Sequence, residues 1–189
     1  MKREVNDRNI LDKFTEEFCN IVNKYGRYMI VSGFSAISSG RTRGTEDIDM
    51  ILEKMSLEDF TKLHNKLLNE GFECQQSENS KEIYLDYLSQ GDSIRYTWKG
   101  KFLPEMEIHF PKDVIDEYQL NRRIKMPLTK LNIYFAPIEG NIAFKEEWLK
   151  SDKDIEDARH LRIVYSEKIN EEEIKKIKNM IRRIRYGKK

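Results

Sequence analysis

The sequence predicts an α/β protein of the α+β kind, in which a largely β segment is flanked by helical segments. Near the N-terminus, Phe14 and Phe18 recur at the spacing of one face of a helix. Residues 47–52 instead alternate between acidic and apolar side chains, as in a strand with one buried face. Between residues 72 and 136 short apolar runs are separated by Gly, Pro or Lys-rich turns, and helical spacing returns after Pro137.

Five elements are expected before residue 72. A helix begins near Leu11 and ends at Gly26, since glycine readily adopts the left-handed conformation that terminates helices. Ser56 followed by Asp59 resembles a capping box, and the apolar stripe behind it ends at Gly71. The other three are a strand over residues 28–31, one or two helical turns over residues 35–39, and a strand over residues 47–52.

The second half is expected to change from strands to helices at Pro137. Strands are predicted over residues 83–88, 93–98, 106–110 and 131–135, with a turn at residues 99–101. Helices are predicted over residues 142–150, 153–165 and 171–185. The chain is thus expected to have a core at residues 1–136 and a C-terminal helical extension at residues 137–189 that packs on it.

Length and composition bound the class of protein. The 189 residues are the size of one domain, and a hydrophobic share of 39% is enough for a core. Because 34 basic residues oppose 33 acidic ones, the whole-protein field does not attract nucleic acid. Cys19 and Cys74 stand alone, which indicates neither a disulfide framework nor a zinc site. No apolar run approaches the ~18 residues of a bilayer span, so we expect a cytoplasmic protein without a membrane partner.

Asp47 and Asp49 carry the strongest chemical signal. Residues two apart on a strand project to the same side, so both carboxylates can reach a cation above the sheet. Magnesium is a hard cation that prefers carboxylate and phosphate oxygens. An isolated Asp-x-Asp is more often the solvated side of an edge strand. The turn at Ser32 and Gly33, ahead of the acidic strand, favours the functional interpretation here.

The segment around these aspartates resembles the signature of nucleotidyltransferases of the DNA-polymerase-beta-like superfamily. The matching positions are Ser32-Gly33-Phe34-Ser35-Ala36, Gly40, Arg43, Thr45 and Asp47-Ile48-Asp49. More narrowly, their spacing is similar to the branch that contains the abortive-infection toxin nucleotidyltransferases. Residues 142–145 and 153–161 resemble the helical segment that follows the catalytic core in that branch. The resemblance implies a mixed, largely antiparallel sheet with helices packed on it and a C-terminal helical extension.

A metal site made of carboxylates is implied by the same resemblance. Asp47, Asp49 and a third carboxylate from a neighbouring strand would be both the catalytic residues and the ligands of Mg²⁺ or Mn²⁺. On the strand over residues 106–110, Glu105, Glu107 and His109 share the polar face. Glu107, which lies between two apolar neighbours, is the preferred third ligand, and Glu105 is the alternative. A solvated strand face is the competing interpretation.

The nucleoside triphosphate is expected to contact Ser32, Gly33, Arg43 and Lys145. At a strand-to-helix turn, backbone N–H groups and the Ser32 hydroxyl could point at phosphates. Arg43 and Lys145 would add positive charge. The competing interpretations are an ordinary tight turn, an arginine paired with nearby aspartates, and one more exposed lysine. Ser32 departs from the family pattern, since it stands where the first glycine usually lies.

Charged residues of the C-terminal helices have structural explanations. Asp154 and Asp157 lie on one helix face, where they are expected to anchor Lys153, Arg41 or Arg43 rather than touch substrate. The last helix combines an isoleucine stripe with many lysines and arginines. Such a helix can bind nucleic acid or a membrane surface, but its isoleucines more often pack on the protein body.

The implied activity is transfer of a nucleoside monophosphate from an NTP to an acceptor hydroxyl, with release of pyrophosphate. Three acceptors stay open: an RNA end such as that of a transfer RNA, a protein side chain, or a small molecule. The abortive-infection resemblance implies a toxin–antitoxin or phage-defence component with an antitoxin partner. The alternatives are a catalytically inactive nucleotide-binding module of the same fold and a nucleic-acid-binding protein.

Overall fold

The first 71 residues alternate helices and strands in the predicted order. The computed structural model describes residues 2–42, 44, 45 and 47–187, with side chains from residue 10 onward. The first elements are α1 (Lys2–Val22), β1 (Tyr28–Val31), α2 (Gly33–Ser38), β2 (Asp47–Leu52) and α3 (Leu57–Asn69). The Ser56 hydroxyl accepts a hydrogen bond from the Asp59 N–H, so the predicted cap is present at the start of α3.

The remaining elements are shorter until the C-terminus. They are β3 (Phe72–Cys74), α4 (Ser80–Glu82), β4 (Ile94–Trp98), β5 (Glu105–His109), α5 (Val114–Leu120), α6 (Ile138–Phe144), α7 (Asp152–Val164) and α8 (Glu171–Tyr186). Two π-helical segments, Ile83–Tyr87 and Lys145–Leu149, extend α4 and α6. Among the described residues, none of the helices combines the length and hydropathy needed to cross a bilayer.

Within the described part of the chain, five strands form one sheet in the order β1-β2-β5-β4-β3. β2 and β5 pair in parallel, and the other neighbours pair antiparallel. The prediction of a mixed, largely antiparallel sheet with helices packed on it is therefore confirmed. The parallel pair lies at the centre, so residues at the start of β2 and the start of β5 meet at one end of the sheet.

The two faces of the sheet differ in chemistry. One face is apolar, and Ile48, Met106 and Tyr96 are buried there against α1 and α3. Phe18 of α1 packs edge-on against Phe72, with 5.1 Å between ring centroids. The opposite face carries the acidic side chains of β2 and β5. Burying one face of this central pair fixes the register, because a slip of one residue would turn every carboxylate into the core.

The prediction of a strand over residues 83–88 is wrong. The Asn79 side chain caps α4, and the helical path continues through π and 3₁₀ turns until Gly91, which is left-handed. Ile83 and Leu88 are both buried and lie five residues apart, a separation that places them on one face of a π turn. A short apolar run does not by itself distinguish a buried helix face from a strand.

Residues 131–135 were also predicted as a strand and do not form one. Phe135 makes isolated bridges, parallel to Ile30 and antiparallel to Ile124. Leu128 and Lys130 have positive φ angles of 72° and 62°, so the chain is not extended just before the segment. The run therefore supplies backbone hydrogen bonds beside β1 without forming a sixth strand in the described sheet.

The C-terminal helices pack on the rest of the chain through a shared core. One cluster of buried apolar side chains includes Phe18 of α1, Ile142 of α6 and Ile177 of α8. Three of the four isoleucines of the stripe predicted for the last helix are buried, and Lys178 and Arg182 on its flanks pair with glutamates of the π turn that follows α6. Much of the basic character of α8 is thus neutralised within the protein.

His64 is expected to make stability fall in mild acid. It is buried, its Nε2 donates to the Glu78 carbonyl, and its Nδ1 lies 2.7 Å from the Tyr96 hydroxyl. Burial lowers its pKa, so the unfolded chain binds this proton more readily than the folded chain. The free energy of unfolding should therefore decrease as pH falls below about 6.5. Urea titrations of the protein and of His64→Gln should show this slope only in the parent; equal slopes would contradict it.

Candidate active site

Four carboxylates face each other across the central parallel strand pair. The register places Asp47 beside Glu105 and Asp49 beside Glu107. Neighbouring strands lie about 4.8 Å apart, so side chains on the same face of these pairs are close. Asp47 is exposed, whereas the other three are half-buried. The predicted catalytic residues Asp47, Asp49 and Glu107 are thus brought to one patch, with the alternative, Glu105, in the same row.

The pKa of the Asp49 carboxyl is raised above its ordinary value. Burial raises its pKa, and the negative charges of Glu107 and Asp47 raise it further. A hydrogen bond from the Ser32 hydroxyl acts in the opposite direction, since it stabilises the ionised form. This bond connects the turn after β1 with the acidic strand. A cation bound at the patch would relieve the same repulsion.

The turn at Ser32 and Gly33 has a backbone shape that favours glycine. Ser32 has φ 65° and ψ −140°, and Gly33 begins α2 as a buried residue. Positive φ with strongly negative ψ is strained for a residue with a Cβ atom. Glycine adopts this conformation without strain, which agrees with the glycine usual at this position in the family that the sequence resembles. In this protein a serine adopts the strained conformation, and its hydroxyl helps to stabilise the ionised form of Asp49.

Glycine should be better tolerated than alanine at position 32. Ser32→Gly removes backbone strain of about 1–3 kcal/mol, which stabilises the folded state. It also loses the hydroxyl hydrogen bond and gives the unfolded chain more conformational freedom, and both of these effects destabilise the folded state. We expect the gain and the losses to offset each other. Ser32→Ala keeps the strain and loses the bond, so it should be less stable than Ser32→Gly by roughly 1–2 kcal/mol. Chemical denaturation of both variants measures this order. An alanine variant equal to or more stable than the glycine variant would contradict the role of backbone shape.

Arg95 of β4 is part of the patch, and the sequence did not identify it. It pairs with Glu107 in the strand register, and its Nη2 and Nε lie 2.7 and 3.0 Å from one Glu107 carboxylate oxygen. Its Nε is also 3.1 Å from Glu105. Only its position in a strand next to the acidic one could have signalled this, and that neighbour relation is not visible in the sequence.

Glu105 is held from both sides. Gln75 donates a hydrogen bond of 3.0 Å to one of its carboxylate oxygens, and Arg95 pairs with the other. Burial raises the pKa of Glu105, and Asp47 adds to the rise. These fixed contacts distinguish it from Asp47, which lies at the exposed end of the row.

The donor set suits a divalent cation by its chemistry. Carboxylate oxygens are the ligands that Mg²⁺ and Mn²⁺ prefer, and the strand register brings four of these groups together. Within the described residues, however, no group of three or more His, Cys, Asp or Glu side chains is already arranged around a metal position. Glu107 is turned to Arg95 instead. The fit to such a cation therefore lies in the chemistry of the donors and not in a preformed arrangement of the described residues.

Lys145 lies in a buried ion-pair cluster. Its side chain is 1% exposed, and its ammonium is 2.8 Å from Asp157 and 3.5 Å from Asp154. Arg41 pairs with the second oxygen of Asp157 and donates to the Lys153 carbonyl. Lys145 is therefore not an exposed surface lysine. Its predicted phosphate contact stays a prediction, whereas Asp157 has the anchoring contacts expected of it.

The ion-pair cluster joins α7 to the loop between α2 and β2. His160 donates to the Ser39 carbonyl at 3.1 Å, and the Tyr165 hydroxyl lies 3.0 Å from the Ser39 hydroxyl. Together with the Arg41 contact, these bonds attach the segment that precedes β2 to α7. Arg43, predicted to bind the nucleotide, lies in this loop but outside the described residues.

Comparison with known proteins supports the fold. The structure resembles the solution structure of the antibiotic-resistance factor ANT(2'')-Ia, an aminoglycoside nucleotidyltransferase, with a TM-score of 0.51 at 13% sequence identity. The similarity covers 93% of this chain and 95% of that one. By sequence, neither a family model nor a curated protein matches. The chain therefore has a nucleotidyltransferase-like fold, and the candidate carboxylate patch lies on the central strands of that fold.

Proposed function

We propose that the protein transfers a nucleoside monophosphate from an NTP to an acceptor hydroxyl and releases pyrophosphate. The observation that carries this proposal is the pairing of Asp49 with Glu107 on neighbouring strands, beside the strained turn at Ser32. The nucleotidyltransferase-like fold supports the same activity in general terms. A strand face that was merely solvated would have no need of a desolvated aspartate or a strained backbone.

Each residue of the patch has a role in this proposal. Asp47, Asp49 and Glu107 would hold Mg²⁺ or Mn²⁺, which when bound supplies charge neutralisation for the triphosphate and the leaving pyrophosphate. Ser32 and the backbone N–H of Gly33 orient the phosphates. Glu107 orients the acceptor hydroxyl and takes up its proton as the oxygen attacks the α-phosphorus. Arg43 and Lys145 are the proposed sources of further positive charge.

The proposal also names the class of acceptor and the biological role. The resemblance of residues 32–49 to abortive-infection toxin nucleotidyltransferases supports a macromolecular acceptor, an RNA end or a protein side chain, and an antitoxin partner. Because the structure resembles an antibiotic-resistance factor, a small-molecule acceptor has to be tested beside RNA and protein. A cytoplasmic location agrees with an NTP substrate and stays a prediction.

A label-transfer assay tests the proposed function. The protein is incubated with each α-labelled NTP, Mg²⁺ and, separately, total RNA, total protein or an aminoglycoside panel. We expect label in one acceptor class, loss of label with EDTA, and loss of label in Asp49→Asn. The exposed Asp86→Asn is a matched control that should keep activity. If no acceptor class gains Mg²⁺-dependent label, nucleotidyl transfer is contradicted.

A nucleotide-binding module without catalysis is the second candidate. It is favoured by the Arg95 contact, which engages the carboxylate proposed as third ligand. Calorimetry with a panel of Mg²⁺-nucleotides, run beside a pyrophosphate-release assay, separates the two functions. Saturable binding without pyrophosphate release in any acceptor mixture would favour the binding module. Nucleic-acid binding through α8 has weaker support, because three of its four isoleucines are buried and four of its basic residues are paired with glutamates.

A further inference from the structure

Arg95 lies across both carboxylates of β5. Its guanidinium contacts Glu107 through two nitrogens and Glu105 through one, at distances from 2.7 to 3.1 Å. The Arg95 side chain is 44% exposed, and those of Glu107 and Glu105 are 25% and 15% exposed. A single cationic side chain thus offsets part of the negative charge of the strand that faces Asp47 and Asp49.

The backbone of Arg95 is fixed while its side chain has room to move. Its N–H donates to the Gln76 side chain at 2.7 Å, and its carbonyl accepts from the Gln75 N–H at 2.8 Å. These bonds hold the residue in register opposite Glu107. Because almost half of the side chain faces solvent, the guanidinium can leave the carboxylates and be hydrated without any change in the sheet.

An arginine and a divalent cation would compete for the same Glu107 oxygens. The Glu107 atom that accepts both Arg95 bonds is a carboxylate oxygen of the kind that Mg²⁺ and Mn²⁺ ligate. The guanidinium stays protonated at any physiological pH, so a change of pH does not release it. An ion pair with this exposure is weak, since solvent screens it and the side chains lose freedom in forming it. A doubly charged ion that Asp49 also attracts can displace it.

We propose that Arg95 is a positioning residue that holds Glu107 when no divalent cation is present and competes with that cation for the carboxylate. The inference rests on the proposed function, since it assumes that Glu107 is a metal ligand. It adds that the affinity for the cation is set by an internal counter-ion from the neighbouring strand. Until the cation arrives, Arg95 offsets part of the negative charge of the acidic patch and fixes the Glu107 carboxylate.

The test is Mn²⁺ binding, measured by calorimetry and by the loss of the free-ion paramagnetic resonance signal, without nucleotide or acceptor. Arg95→Gln should bind Mn²⁺ about fivefold more tightly than the parent, because it lacks the competing charge. Arg95→Lys keeps one charge but not the two-nitrogen contact, so its affinity should lie between the two. Arg159→Gln, which removes an exposed pair with Glu156, should bind as the parent does. Circular dichroism and thermal unfolding establish that each variant is folded.

The outcomes separate this inference from the proposed function. Tighter binding in Arg95→Gln that is lost on adding Asp49→Asn supports both, and a variant that is merely misfolded cannot bind more tightly. Binding that depends on Asp49 but is unchanged or weaker in Arg95→Gln overturns the role of Arg95 and leaves the metal site standing. Absence of Mn²⁺ binding in the parent and in both Arg95 variants overturns the metal site and this inference together.

Discussion

Asp49→Asn should lose nucleotidyl transfer while gaining stability. Activity is expected to fall by more than about a thousandfold, the scale of removing one member of a catalytic unit. The free energy of unfolding at neutral pH without divalent cations is expected to rise by about 1 kcal/mol. Asparagine still accepts the Ser32 hydrogen bond but carries no charge to be desolvated or repelled by Glu107 and Asp47. Urea denaturation in EDTA and the label-transfer assay measure the two effects.

The pH dependence of this gain has a definite sign. The folded-state pKa of Asp49 is raised, so the folded chain binds this proton more readily than the unfolded chain. Its ionised form therefore costs stability above the folded pKa, and the cost disappears as pH falls through that value. The advantage of Asp49→Asn should be largest near neutrality and shrink in acid. A variant less stable than the parent at neutral pH would mean that Asp49 is a structural ion-pair partner, and Asp86→Asn should show neither effect.

Lys145→Met should be strongly destabilising. The substitution leaves Asp157, which is fully buried, without its ammonium partner, and breaking a buried ion pair costs about 3–5 kcal/mol. The pairing of Arg41 with Asp157 places the expected value near the lower end. Adding Asp157→Asn should restore part of the loss, because it removes a buried charge that has lost one of its cationic partners. Chemical denaturation of the single and double variants gives both values.

The same variants separate a structural role of Lys145 from a role in nucleotide binding. If Lys145 acts mainly on the triphosphate, Lys145→Met should raise the KM for NTP by more than about tenfold with little change in unfolding free energy. If the ion-pair cluster dominates, stability falls first, and activity is lost with the folded fraction. Lys175→Met, which breaks an exposed pair with Glu172, is the matched control and should change stability by less than about 0.5 kcal/mol.

The strongly patterned elements were predictable from the sequence because local chemistry specifies them. These patterns are short-range: the alternation along β2, the Ser56 cap of α3 and the isoleucine stripe of α8. The helical path over residues 83–90 was missed, since a π turn and a strand produce the same short apolar run. α5 was missed as well, although Asp113 provides a capping signal at its start.

The candidate site divides in the same way between local and non-local information. That Asp47 and Asp49 project together follows from the two-residue period of a strand. Their pairing with Glu105 and Glu107 depends on a parallel neighbour more than 50 residues away, and the contact of Arg95 depends on a third strand. The burial of Lys145 against Asp157 depends on how α7 packs on the segment after α6.

The sequence by itself determined the fold class, the acidic strand and the glycine turn before it, because each depends on short-range patterns of polarity and backbone preference. Only the tertiary structure decided which carboxylates meet, that Arg95 pairs with two of them, that Ser32 is strained, and that Lys145 is buried. Those features arise from the order and register of the strands and from helix packing. Both are set by burial summed over the whole core and not by any one segment.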